Sequence, residues 1–235
     1  MRKCQFARFA LHASLLLGTA FASEFPFRPD ETLTYSVNWP SGLGLGEGTM
    51  GAKLAKGSTG EPIGWQFEFQ IEAAVPGFSV IDHYRASATK ELCSIEFEKV
   101  LAHGKRKGQE KTTFGSGSAS RTTKGGGKSE IMVPECAKDG LTFIYFLRSE
   151  LAQGRIPATQ KVLFGAEYEV AFHYDGTQEV TVGQERVNAD RLTASVKGPA
   201  SKLTFELLVA QDPARTPVRI KVPLELGDFT MELAP

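Results

Sequence analysis

Asp139-Gly-Leu-Thr-Phe-Ile-Tyr-Phe-Leu-Arg-Ser-Glu-Leu-Ala-Gln-Gly154 is the one stretch of this 235-residue chain that reads as a helix. Asp139 suits the N-cap, where its carboxylate accepts from the free N–H groups of the first turn. Gly154 supplies a left-handed terminating residue, and Pro157 prevents the helix from resuming. Leu141, Ile144, Tyr145 and Leu151 share one face, while Phe143, Phe146 and Leu147 cover most of the remainder. A helix apolar nearly all round is buried on more than one side, and this one falls short of the roughly 20 apolar residues that span a bilayer. The pattern predicts a buried helix over about residues 139–153, with its first face on a sheet. Phe143, Phe146 and Leu147 then meet either a second layer of core, the commoner arrangement for aromatic residues, or a ligand cavity.

Arg148 falls within the apolar arc, between Ile144 and Tyr145. A guanidinium is not buried unpaired, since desolvation costs several kcal/mol. Either its stem packs while its head snorkels to water, or a carboxylate meets it. Asp82 follows Phe78 and Val80 on their face of a strand, so an Asp82–Arg148 buried ion pair is the candidate.

Around the helix the chain alternates with a period of two. Leu33, Tyr35, Val37 and Trp39 oppose Thr32, Thr34, Ser36 and Asn38, and Trp65, Phe67, Phe69 and Ile71 oppose Gln66, Glu68, Gln70 and Glu72. Tyr168, Val170, Phe172 and Tyr174 repeat the pattern, and Asp175-Gly176 is a strong short-hairpin signal. About a dozen such strands, separated by short turns, imply antiparallel pairing. The expected fold is mostly β: a single antiparallel domain over residues 23–235, an open or closed barrel-like sheet, with one buried helix against it. A two-sheet sandwich is the second architecture.

The first 22 residues read as an export signal. Arg2, Lys3 and Arg8 precede an apolar run from Phe9 to Leu17, and Ala20-Phe21-Ala22 fits a small-x-small cleavage site. Cys4 lies before the apolar run, so it is not positioned as a lipoprotein cysteine would be. Cleavage before Ser23 shifts the net charge from zero to −3, since the segment carries three basic residues and no acidic ones. A mildly acidic protein is not a general nucleic-acid binder. No other segment is long and apolar enough for a membrane anchor, so the expected location is the periplasm. Two cysteines then remain in an oxidising compartment, Cys93 and Cys136, and a disulfide between them is expected. Its closed loop is worth roughly 4 kcal/mol on chain-entropy reasoning.

Motifs for chemistry are scarce. Gly46-Glu-Gly-Thr-Met-Gly51 has dinucleotide-loop spacing, but no helix pattern follows it. His83, His103 and His173 show no metal-ligand spacing, and the serine-rich segment 115–120 is not a nucleophile elbow. Asp82 and His83 are adjacent in a strand and face opposite sides. No catalytic constellation, metal site or cofactor is expected. One charged region stands out, with Lys105, Arg106, Lys107, Lys111, Arg121, Lys124 and Lys128 accompanied by Glu110 alone. Such a region suits an anionic envelope partner, although lysines on hairpin tips also keep strand edges from pairing.

Three stretches together resemble a bacterial exported family known as domain of unknown function 3108. They are Asp30-Glu-Thr-Leu-Thr-Tyr-Ser-Val-Asn-Trp39 with its following glycines, Asp139 to Arg148, and Asp212-Pro-Ala-Arg-Thr-Pro-Val-Arg-Ile220 before Leu226-Gly227. The resemblance implies an exported, mostly β protein and brings no activity or catalytic residue. The expected architecture is also similar to periplasmic lipoprotein carriers, which are open apolar-lined barrels closed by helices, but fold-level analogy does not establish function. Three functions remain. The first is a non-catalytic envelope protein holding an apolar or lipid-like ligand beside the helix. The second is an interaction module presenting basic loops to an anionic envelope partner. The third is a hydrolase.

Overall fold

Strands form where residues of one parity are buried. The computed structural model describes residues 25–75, 77–224 and 227–235; the expected signal over residues 1–22, with Cys4, lies outside the described residues. In β1 (Glu31–Asn38) Tyr35 and Val37 are buried while Thr32, Thr34 and Ser36 are exposed. In β3 (Pro62–Val75) Trp65 and Phe67 are buried between exposed Gln66 and Glu68. The other early strands are β2 (Gly44–Lys56), β4 (Phe78–Ala88), β5 (Ser94–His103), β6 (Arg106–Phe114), β7 (Ser118–Thr123), β8 (Lys128–Met132) and the short β9 (Lys138–Asp139). Helix α1 (Gly140–Ala152) follows at once. Then come β10 (Gln160–Leu163), β11 (Glu167–Val182), β12 (Glu185–Lys197), β13 (Lys202–Ala210), β14 (Pro217–Leu224) and β15 (Gly227–Leu233).

All 15 strands join one sheet in the order β8-β7-β6-β5-β4-β3-β2-β1-β15-β14-β13-β12-β11-β10-β9. The first and last strands pair at its middle, Tyr35 opposite Leu233, and two wings run outward from them. Neighbours are antiparallel except β9 and β10, which run parallel. Only that pair is joined through a helix, as a parallel connection needs a long crossover.

The wings curl toward each other. Ala119 of β7, Val133 and Ala137 share a buried cluster with Leu163 of β10. The Ser94 N–H at the head of β5 donates to the Ala137 carbonyl at 3.0 Å. The expected Cys93–Cys136 disulfide sits beside it and ties the β4–β5 turn to the segment leading into α1. The outermost strands β8 and β9 are not hydrogen-bonded to one another. The fold is therefore the open, barrel-like alternative, not the sandwich.

Asp175-Gly176 does not turn the chain. It lies inside β11, where the register shifts between Tyr174 and Gly176 and Gly176 takes φ 103°. The positive φ that glycine grants a hairpin turn serves a bulge equally well, and the turn itself comes at Gly183.

Candidate functional site

Helix α1 enters the curl and is held at its start, middle and end. Asp139, fully buried, accepts from the N–H groups of Leu141 (2.8 Å) and Thr142 (2.9 Å) and from the Thr142 and Ser94 hydroxyls. Burial pushes its carboxyl up, and those hydrogen bonds pull against that shift. Tyr145 enters an aromatic box, stacked on Phe67 at 3.9 Å between ring centroids and edge-on to Phe27. Burial pushes its hydroxyl well above the usual phenol range, and that hydroxyl has no hydrogen-bond partner among the described residues. Leu147 and Leu151 close the far end against Leu192, Leu207 and Val209. Gln153 caps the helix and Gly154 takes φ 70°.

The structure corrects the expectation for Arg148. Its head neither snorkels nor meets Asp82. It is fully buried and forms a two-pronged pair with Glu31 of β1, at 2.6 Å and 3.0 Å. It also donates to the carbonyls of Ala214 and Arg215 in the β13–β14 loop and lies over the rings of Phe27 and Tyr145. Most of its donors are thereby met, which is the condition under which a guanidinium tolerates burial. Asp82 does point inward, but its register places it beside other partners. It meets His103 Nε2 at 2.7 Å and accepts from the Tyr84 hydroxyl at 3.2 Å.

Between α1 and the inner face of the sheet lies a cavity of about 690 Å³. The helix contributes Gly140, Leu141, Phe143, Ile144 and Leu147. One wing adds Met50, Phe69, Ile71 and Tyr84; the other adds Val170, Phe172, Val196, Phe205 and their neighbours. Of the residues expected to wall a cavity, Phe143 and Leu147 line it and Phe146 does not. The Phe146 ring lies instead beneath the Lys138 ammonium, 4.4 Å away. Of the face assigned to the sheet, Tyr145 and Leu151 pack as described, while Leu141 and Ile144 line the cavity. A Cβ at Gly140 would come within 2.8 Å of the Phe164 ring, so a larger residue there has to displace that ring.

Two lining residues sit on turns: Phe164 after β10 and Ser201 before β13. Phe164 stacks on Tyr84 and packs against Phe97, with the Lys99 ammonium 5.0 Å from its ring. Lys99 is in turn paired with Glu110 at 2.8 Å, and Arg121 donates to the same carboxylate. The expected basic region is thus divided. Arg121 serves this inner network, and Lys111 pairs with Glu96 at 2.7 Å. Lys105, Arg106, Lys107, Lys124 and Lys128 are exposed and form no ion pair among the described residues. No group of three or more His, Cys, Asp and Glu side chains among the described residues is arranged to hold a metal.

The far wall, on β12–β14, carries no motif that marks it as a site. Its signal was present, because Val196, Leu203, Phe205, Leu207, Ile220 and Val222 obey strand alternation. Which alternating face meets a void is not written in periodicity.

Among the described residues, one sheet, antiparallel except at its β9–β10 edge, curls around one helix and an apolar cavity, which defines a barrel-like class of protein. A solved structure agrees: a beta-barrel-like protein of domain of unknown function DUF1849 from Brucella abortus superposes with TM-score 0.60. The match covers 88% of this chain and 97% of that one at 9% identity, and so bears on the fold alone. A candidate lipoprotein from Parabacteroides distasonis ATCC 8503 aligns over 89% of this chain and 96% of its own at 8% identity, but its TM-score of 0.34 carries no argument. No curated protein matches the chain. The profile of the family described as "Protein of unknown function (DUF3108)" matches residues 34–234, and the chain belongs to that family.

Proposed function

We propose that this protein is a non-catalytic component of the cell envelope that holds an apolar, lipid-like ligand between α1 and the curled sheet. The cavity carries this reading. Its volume of about 690 Å³ falls within the roughly 300–1,000 Å³ of small-molecule sites. Unoccupied, it leaves a wall of aliphatic and aromatic side chains facing water, which is disfavoured at about 25 cal/mol per Å² of apolar surface. Water fills such a space poorly, because an ordered water needs about three polar partners and the walls are mostly aliphatic and aromatic. An apolar ligand removes that wall area from water. The Cys93–Cys136 disulfide supports an oxidising compartment such as the periplasm.

The test uses an environment-sensitive apolar fluorophore and the variant Ile144→Trp. Ile144 is only half-buried and faces the cavity, so a larger side chain fills space without displacing core. The parent is expected to bind the probe saturably. The variant is expected to bind at least about tenfold more weakly with its unfolding midpoint retained, a loss in line with filling a pocket. Equal probe binding by both proteins contradicts the reading.

A further inference from the structure

We propose that the protein docks end-on onto an anionic bilayer surface through its unpaired basic hairpin tips, presenting the mouth of the cavity to that surface; this rests on the ligand reading above. The register sets the geometry. In an antiparallel sheet alternate turns fall at the same end. Val80 pairs with His103 and His103 with Arg106, so the β3–β4 and β5–β6 turns share an end. Glu110 pairs with Thr123, which brings the β7–β8 turn beside them, and the Lys124 N–H donates to the Gln109 carbonyl across the gap at 2.9 Å.

The other wing follows from Asn38 opposite Thr230, Lys221 opposite Thr230, Glu206 opposite Lys221 and Lys197 opposite Lys202. These place the β12–β13 turn, with Ser201, at that same end. Glu169 opposite Lys197 brings the β10–β11 turn, with Phe164, beside it. The two turn-borne residues of the cavity therefore share an end with the basic tips. At the opposite end α1 is tied through Arg148 to Glu31, Ala214 and Arg215.

Charge selects the partner. Lys105, Arg106 and Lys107 on one tip and Lys124 and Lys128 on the next are exposed and without ion pairs among the described residues. A row of ammonium and guanidinium groups on protruding turns suits a plane of anionic headgroups, where each contributes additively. An apolar ligand exchanged at such a surface avoids crossing water.

The experiment measures sedimentation with phosphatidylcholine vesicles, with and without phosphatidylglycerol, at low salt where screening is least. It compares the parent with Lys105→Ser/Arg106→Ser/Lys107→Ser. The parent is expected to prefer the anionic vesicles, and the variant to bind them about tenfold more weakly or worse. The parent should take up the apolar fluorophore faster from anionic than from neutral vesicles; the variant should lose that difference while keeping the parent's affinity for the probe in solution. Equal vesicle binding by the two proteins overturns the proposal, as does absence of parent binding. So does parent binding to soluble polyphosphate as tight as to vesicles, which would indicate a free polyanion site. If neither protein binds the probe while the vesicle difference persists, the cavity reading fails and the docking surface stands.

Discussion

Arg148 is a residue whose burial was legible and whose partner was not. Helical spacing put it among apolar neighbours, and the need for a counter-charge followed. Asp82 fits that need by periodicity, since its strand face points inward, as it does in the structure. Glu31 has the same credential, since it lies two residues before Leu33 on the face that buries Tyr35 and Val37. Periodicity identifies inward carboxylates, but only the curl of the sheet decides which one reaches the helix. Removing one member of such a pair leaves an uncompensated buried charge. Arg148→Met is expected to cost about 3–5 kcal/mol, and adding Glu31→Gln should recover part of that loss. Denaturation midpoints of the single and double variants check this, and additive losses would count against the pairing.

Glu110 is the second residue with a measurable signature. Burial alone pushes its carboxyl up, but Arg121 and Lys99 outweigh it and hold the carboxyl below its usual range. The folded value lies under the unfolded one of about 4.3. The stabilisation is therefore complete above that pH and is lost as pH falls through the folded value. Stability measured from neutral pH down to about pH 2 should fall less steeply below about 4.3 for Glu110→Gln than for the parent. Parallel acid limbs would contradict the assignment.

At the scale of the element, α1 was readable because its caps are local. The Asp139 carboxylate accepts from the N–H groups of Leu141 and Thr142, and Gly154 acts through its own positive φ, so sequence suffices. Its sides were not equally readable. A helix apolar all round says that both sides are covered, not by what, and so Ile144 was assigned to the sheet although it faces the cavity. Two truncations separate these environments. Leu151, buried against Leu192, Leu207 and Val209, should lose about 2–5 kcal/mol on change to Ala. Ile144→Ala should cost less, about 1–2 kcal/mol in ligand-free protein, because Ile144 is half-buried and packs on the core on one side only, the other side bordering the cavity. Comparable losses at the two positions would mean that the space beside Ile144 is filled core. The Asp175-Gly176 bulge shows the same boundary between local and global, since the dipeptide announces a positive φ but not whether the strand ends there.

For the whole molecule, alternation and short turns were enough for an antiparallel β protein with a barrel-like sheet, and two cysteines for the disulfide. The meeting of β1 with β15 rests on a pairing of residues as far apart as Tyr35 and Leu233, and the facing of the two wings on contacts such as Ala119 with Leu163 and Ser94 with Ala137, none of which a local pattern encodes. The cavity is a product of that closure. It exists because, among the described residues, a single helix of 13 residues cannot fill the inside of a 15-stranded sheet, and its walls are apolar. Native mass spectrometry of the protein purified from the envelope without detergent addresses this directly. The expected result is a mass excess from one bound lipid-like molecule, released by organic extraction and absent from Ile144→Trp. Protein at its bare polypeptide mass that also fails to take up added lipid would contradict a ligand-holding cavity.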